Sequence, residues 1–315
     1  MSLKLTDIEI AAKLPKINHS MPVYKVKPFS LEECQQAIRY FQEIMHIGEI
    51  LPVNMQDSLH LVSKAGEIQF YRPSGGLWVH SFVADDKYSD ERRPWKVEQV
   101  KDDEEPENLK LVLPKKEQKK LADRTVELFE KTKLLSKQAY FSGVELDQVT
   151  RLDEKGKEVE RFPGEANVRF LYKLDDIPVE GAGAKSYAFY NPGEREYELT
   201  GIYHCWRGTT DAQTIQMVSI EETLERAISQ DRELVLHHKK RSLIKINKIE
   251  LVYYTLPPHK HQDYVFPSIH IIGSATPKDK KLRRDGFDFS RFYNAAPCES
   301  YAKEGLYADY LLMRS

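Results

Sequence analysis

Residues 167–207 constrain the fold more than any other part of this chain. Their sequence, NVRFLYKLDDIPVEGAGAKSYAFYNPGEREYELTGIYHCWR, contains three segments in which apolar and polar residues alternate, separated by turn-forming residues. Alternation with a period of two is typical of a β-strand with one buried and one exposed face. Strands that follow one another with only short turns between them predict an antiparallel meander and disfavour parallel βαβ winding.

Size and charge indicate an ordinary globular protein. The chain has 315 residues and a net charge of -2, whereas a dedicated nucleic-acid binder needs a clear cationic excess. We therefore expect no nucleic-acid partner. No window of about 18 apolar residues is present to span a bilayer, and the first residues lack the apolar core of a signal peptide. The sequence predicts no membrane span.

The cysteines indicate a reducing compartment. Cys34, Cys205 and Cys298 are odd in number and far apart, and they form neither a CxxC motif nor a metal-type spacing. We interpret them as free thiols and expect a cytoplasmic protein.

Two predicted helices begin in the same way. Ser30 and Ser219 each precede an acidic residue by three positions, Glu33 and Glu222, which is the pattern of a capping box. A third helix is predicted at about residues 115–133 from its apolar spacing. Strand-like segments follow each helix, so the order is a helix and then an antiparallel meander, three times over.

This order predicts an α+β fold of repeated helix-plus-antiparallel-sheet units, with a helix covering the apolar face of each curved sheet. We expect an N-terminal unit at residues 1–110, a central unit at 111–212 and a C-terminal unit with a tail at 213–315. The polar run KDDEEPEN marks the first boundary.

The central unit is expected to contain a hairpin at IPVEGAGAK, residues 177–185. Gly181 and Gly183 allow positive φ, which suits a strand reversal. A dinucleotide-binding loop would need a third glycine and a following helix, so we interpret the motif as a turn.

The IPVEGAGA motif resembles PepSY-type domains and the related YycH/YycI-type regulators, which share a strand, an IPV-x-G-x-G turn and further strands. The later segments LVYYTLPP and QDYVFPSIHIIG also resemble a strand pair of these families. The resemblance covers roughly residues 165 to 273. It implies a cystatin-like or PepSY-like α+β fold and a role in binding, inhibition or regulation.

Candidate site residues lie on the strand that ends in YHCWR. Alternation places Tyr203, Cys205 and Arg207 on one face, and His204 and Trp206 on the other. A face with hydroxyl donors and a cation could line a concave sheet. Alternatively, one face is core and Arg207 pairs with a carboxylate at the strand end.

Histidines elsewhere offer further candidates. His80 shares a strand face with Trp78 and could act as a general base or be structural. His259 and His261 could bind zinc if a third ligand were near, but their proline-rich turn favours a solvated loop. We predict no metal and no cofactor.

Two functions remain open. The first is a non-catalytic binding or regulatory protein that presents a sheet surface to a protein or peptide partner. The second is a small-molecule enzyme, a cyclase, isomerase or lyase, that holds a small apolar or aromatic ligand in an aromatic pocket under the curved sheet. The candidate acid-base or anion-holding groups are His80, Tyr203, His204 and Arg207, and the candidate pocket walls are Trp78, Trp206 and Tyr254.

Overall fold

The computed structural model describes residues 3–27, 30–49, 51–54, 58–86, 94–101, 109–193, 197–278 and 286–306. The predicted boundary at KDDEEPEN lies largely outside these ranges. The helices are α1 (Leu31–Ile44), α2 (Phe82–Asp86), α3 (Lys115–Lys131), α4 (Ile220–Gln230), α5 (Arg232–Lys239) and α6 (Cys298–Lys303), with a 3-10 turn at Leu5–Asp7. The strands are β1 (Glu9–Ile10), β2 (Ser20–Lys27), β3 (Leu51–Asn54), β4 (Ser58–Val62), β5 (Gly66–Tyr71), β6 (Gly76–Ser81), β7 (Glu98–Lys101), β8 (Leu109–Val112), β9 (Ala139–Leu152), β10 (Glu158–Leu174), β11 (Ile177–Gly181), β12 (Ala184–Asn191), β13 (Glu198–Trp206), β14 (Gly208–Gln216), β15 (Ser242–Thr255), β16 (Tyr264–Pro277) and β17 (Phe287–Asn294).

Both helices begin at the predicted serine N-caps, but the reciprocal capping box is recorded only at Ser30. Ser30 Oγ accepts a hydrogen bond from the Glu33 amide at 3.2 Å, and the Glu33 carboxylate accepts one from the Ser30 amide at 2.9 Å. At the start of α4, Ser219 Oγ accepts a hydrogen bond from the Glu222 amide at 3.1 Å. Each serine satisfies a backbone donor that has no partner within its helix.

The prediction of repeated helix-plus-sheet units is wrong. Strands account for 49% of the structure and helices for 23%, and 15 strands join in one mixed sheet. Twelve of them follow the order β14-β2-β16-β15-β11-β10-β12-β13-β6-β5-β4-β3, and the other three attach beside this path, with β1 on β15, β17 on β16 and β9 on β10. The structure is α+β only in the loose sense that it contains both helices and strands.

Strand pairing between distant segments explains the difference. The N-terminal strand β2 pairs with β14 and β16, and β6 pairs with β13. Both pairings cross the predicted unit boundaries. Alternation specifies which face of a strand is buried, but it does not specify the neighbouring strand.

The sheet divides at the glycine motif. The β10 chain reverses at Asp175 and Asp176, both with positive φ, and the reversal does not fall at the glycines. Strands β11 and β12 both pair antiparallel with β10 and run in the same direction along it. Beyond β10, β11 pairs with β15, whereas β12 pairs with β13. The motif is therefore the fork at which the two halves of the sheet separate.

Each half buries its own apolar cluster against helices. In one half, α1 and α3 contribute Phe41, Leu121 and Phe129 to a cluster with Val79 and Ile202. In the other half, α4 and the strands β15 and β16 form a second cluster.

Within the described ranges, no helix is long and apolar enough to cross a membrane.

The glycines at the fork allow close backbone approach. Gly181 has a positive φ of 104°, as predicted, whereas Gly183 does not have the predicted positive φ. A Cβ at Gly181 would lie 2.1 Å from Thr255 O. At Gly183 a Cβ would lie 2.1 Å from Arg207 Nη1 and 2.3 Å from Leu256 O. Neither position has room for a side chain.

We expect Gly183→Ala to destabilise the chain by about 2–3 kcal/mol, because the added methyl group must displace a buried guanidinium and a backbone carbonyl. Ser142→Ala is the control, since this strand residue is exposed and the substitution leaves the backbone conformation unchanged. Urea unfolding at neutral pH measures both changes. Equal unfolding free energies for the two variants would contradict this role of Gly183.

Candidate functional site

Five aromatic side chains form a cluster on the face of the sheet that lies opposite α1 and α3. Tyr187 pairs with Tyr203, and Tyr203 pairs with Trp78 across β12, β13 and β6. Phe189 and His80 both pair with Gly201 in the next row. Directly paired residues of neighbouring strands point to the same side. We call Trp78, His80, Tyr187, Phe189 and Tyr203 the aromatic face.

Ring contacts connect these side chains. The Trp78 ring centroid lies 5.6 Å from that of Phe189, 5.9 Å from that of His80 and 6.3 Å from that of Tyr203. Tyr187 lies 6.0 Å from Phe189 and 6.3 Å from Tyr203. These separations are in the range of favourable aromatic pairs. The face is thus a continuous set of rings with Trp78 and Tyr203 at its centre.

The aromatic face is partly buried, whereas the opposite face of the same strands is fully buried. All five of its side chains have intermediate exposure, whereas Val79, Ile202 and Ala188 are fully buried. An antiparallel sheet with one solvated face normally places polar residues there. The partly accessible aromatic rings depart from that pattern.

Polar groups surround the aromatic face. Trp78 Nε1 donates to Glu67 Oε1 at 3.3 Å, and Gln69 pairs with Trp78 across β5 and β6. On the other side, Arg169 pairs with Tyr187 and forms an ion pair with Glu145 at 2.8 Å. The cluster therefore has an apolar centre and a charged margin.

The structure places His204 in the core. Its Nδ1 lies 2.7 Å from Ser186 Oγ, which in turn lies 2.6 Å from Tyr172 Oη, and all three side chains are buried. Burial lowers the pKa of His204 to about 4. Trp206, also on this face, stacks on Tyr172 with a centroid separation of 4.2 Å. Both residues occupy the core side of β13.

Arg207 lies at the fork of the sheet, where it is fully buried. Its guanidinium donates to Leu256 O at 2.7 Å, Pro257 O at 3.0 Å and Lys260 O at 2.7 Å. These carbonyls belong to the loop between β15 and β16. Gly183 lies against the same guanidinium. The side chain ties the end of β13 to the other half of the sheet.

The predicted residues therefore do not converge on one site. The structure brings together Trp78, His80 and Tyr203, places His204 on the opposite face of the sheet, and encloses Arg207 at the fork. Tyr254 lies in the other half of the sheet, where its ring stacks on Phe292 at 4.5 Å.

A separate groove of about 1370 Å³ lies between α1, α3 and the start of β13. None of the seven predicted site residues lines it. Its charged wall contains internally paired groups, including Lys120 with Glu117 at 2.9 Å and Lys131 with Glu127 at 2.6 Å. The wall of the groove therefore carries both positively and negatively charged side chains.

Sequence reasoning missed Tyr187 and Phe189. Their alternation in AKSYAFYN places them on one strand face, but only the register of β12 against β13 brings them to Tyr203 and Trp78. Register depends on long-range pairing, which single-strand patterns do not encode.

Comparisons with known proteins do not identify a family. No family model matches the chain, and no curated protein matches it. An uncharacterized protein from Eubacterium rectale ATCC 33656 has a solved structure that is similar over 92% of this chain and 88% of its own, with a TM-score of 0.47 and 10% sequence identity. Similarity at this level carries no argument about function.

The buried His204 predicts a loss of stability in acid. Its pKa is near 6.5 in the unfolded chain and about 4 in the folded chain, so the unfolded state binds more protons between these values. The stability present above pH 6.5 falls as the pH drops toward 4. We expect the wild type to lose about 3 kcal/mol more than His204→Asn between pH 7 and pH 4. Urea unfolding across this range measures the difference, and parallel losses would contradict the assignment.

Proposed function

We propose that this chain is a non-catalytic binding or regulatory protein whose aromatic face docks an apolar or aromatic segment of a protein or peptide partner. The observation that carries the proposal is the partly accessible position of Trp78 at the centre of the cluster, in contact with the rings of His80, Phe189 and Tyr203. Exposed contiguous apolar surface is a common mark of an interaction site.

The composition of the face fits a protein or peptide ligand. Tryptophan and tyrosine dominate the binding energy of many interfaces, because they bury a large area with little loss of conformational entropy. Glu67, Gln69 and Arg169 at the margin offer hydrogen bonds to a bound backbone. An apolar centre with a polar margin is the usual anatomy of a specific interface.

The enzyme alternative has less support from the geometry. Its four acid-base or anion-holding candidates would need to surround one reacting group within hydrogen-bond reach. His204 is enclosed with Ser186 and Tyr172, and three backbone carbonyls occupy the Arg207 guanidinium. His80 and Tyr203 remain on the aromatic face, where they serve a binding surface as well as they would serve catalysis.

The resemblance of residues 165–273 to PepSY-type and YycH/YycI-type regulators favours the same class of function. We propose that the partner is a regulated protein, bound through an extended or turn segment that fits a shallow sheet face.

We also propose a cytoplasmic location, since Cys34, Cys205 and Cys298 are all free thiols and such thiols persist in reducing compartments. Fractionation of cells that produce the chain from its own gene, followed by immunodetection, tests this location. Recovery in the membrane or secreted fraction would contradict it.

Selection from a random linear peptide library on the immobilised chain tests the docking function. We expect enriched peptides to carry apolar or aromatic anchors and to bind in isothermal titration. The double variant Trp78→Ala with Tyr187→Ala removes two rings of the aromatic face without touching the core. We expect it to weaken binding at least about 30-fold, which corresponds to about 2 kcal/mol.

Leu236→Ala is the control for this experiment, since Leu236 is an exposed apolar side chain, 49% accessible, on α5 in the other half of the chain. Its affinity for the peptide should equal that of the wild type. Circular dichroism melts establish that each variant is folded. The proposal is refuted by a library that yields no enriched peptide, or by peptides that bind the double variant as tightly as the wild type.

A further inference from the structure

A second group of polar side chains lies on β11, β15 and β16, apart from the aromatic face. Glu250 pairs directly with His270, and Glu180 pairs with Tyr254, which lies four residues from Glu250 on the same strand. Paired residues and residues separated by an even number share a strand face. The two carboxylates and the imidazole therefore point to the same side of the sheet.

Their ligand atoms converge. One carboxylate oxygen from each of Glu180 and Glu250 and one ring nitrogen of His270 all lie within 4.8 Å of one another. We propose that Glu180, Glu250 and His270 form a binding site for one divalent transition-metal ion of the zinc class. The proposal is independent of the docking function.

The surroundings of His270 hold its ring in place. Nε2 lies 2.7 Å from Ser290 Oγ, and the Phe292 ring stacks on the imidazole at 4.2 Å with an interplanar angle of 15°. Tyr254 stacks on the far side of Phe292. A hydrogen bond from the non-ligating nitrogen is the usual device that orients a metal-binding histidine.

The ring nitrogen that faces the carboxylates contacts Glu180. Nδ1 of His270 lies 2.7 Å from Glu180 Oε2, which is the distance of an ion pair when the imidazole is protonated. The contact is not aligned as a hydrogen bond, and Nδ1 makes no hydrogen bond to any described residue. A divalent cation shared by Nδ1 and the carboxylate would satisfy both groups.

The Glu250 carboxylate is available as a ligand. It forms an ion pair with Lys248 at 2.7 Å, in which the two side chains are 39% and 55% exposed. Exposed pairs of this kind contribute about 0–1 kcal/mol. A metal ion can therefore replace the ammonium group at small cost, and two carboxylates together neutralise a divalent charge.

The donor set favours zinc over the alkaline-earth ions. Mg²⁺ and Ca²⁺ select oxygen ligands, whereas an imidazole nitrogen suits zinc and its neighbours in the transition series. Bonds to zinc of about 2.0–2.2 Å place tetrahedral ligand atoms about 3.3–3.6 Å apart. Small side-chain rotations that separate His270 Nδ1 from Glu180 reach this geometry, and water completes the coordination.

Isothermal titration of the chelator-stripped full chain with ZnCl₂ tests the site. We expect one Zn²⁺ per chain, with Mg²⁺ and Ca²⁺ at least about ten-fold weaker. His270→Gln and Glu250→Gln should each weaken zinc binding at least about ten-fold, and Ser290→Ala should weaken it about ten-fold through loss of ring orientation.

His261→Gln is the matched control. His261 also lies 2.9 Å from a carboxylate, that of Asp263, but both side chains are exposed and form no three-ligand cluster among the described residues. This variant should bind zinc as the wild type does. Thermal melts add a second readout: zinc should raise the Tm of the wild type and of His261→Gln, but not that of His270→Gln.

Melts in excess EDTA show whether each variant is folded without metal. The proposal fails if the wild type takes up no zinc, or if folded His270→Gln and Glu250→Gln bind it with wild-type affinity. It also fails if only His261→Gln loses binding.

Discussion

The buried guanidinium of Arg207 is the interaction on which the two halves of this sheet depend. It extends from the end of β13 in one half and donates three hydrogen bonds to the β15–β16 loop of the other. A buried charge is costly unless its hydrogen-bonding groups are satisfied. Here three backbone carbonyls accept hydrogen bonds from Nη1 and Nη2, whereas Nε has no hydrogen-bond partner among the described residues. Gly183 leaves the space that the guanidinium fills. The fork between β11 and β12 is thus set by packing around one side chain.

The two faces of β13, the strand that ends next to Arg207, have different roles. Ile202, His204 and Trp206 point into the cores, where His204 is held by Ser186 and Trp206 by Tyr172. Tyr203 points the other way and joins the aromatic face. Helices cover the core side in both halves, so the polar and aromatic groups of the opposite side are the ones that remain open to ligands. Burial distinguishes His204 in the core from His80 on the aromatic face.

Much of the local structure could be predicted from the sequence, and the long-range pairing could not. Local signals suffice for the caps at Ser30 and Ser219 and for the opposite faces of Tyr203 and His204, because they depend on neighbours in the chain. The single mixed sheet depends on β2 joining β14 across about 190 residues and β16 across about 240 residues. The alternation of apolar and polar residues in β2 does not specify these partner strands. The same holds for the aromatic face, since Trp78 meets Tyr203 only through the β6–β13 register.

The cluster of Glu180, Glu250 and His270 could not be predicted from the sequence either. Glu180 lies in the glycine motif itself. The glycines predict a turn, and nothing in the pattern predicts that the carboxylate is a ligand. Its neighbours are brought to it by the parallel pairing of β11 with β15 and the antiparallel pairing of β15 with β16. The fork that Arg207 stabilises therefore also determines which side chains surround Glu180. A substitution that abolished the pairing of β11 with β15 would disperse this cluster. It would leave the aromatic face intact, because β12 and β13 pair independently of β15.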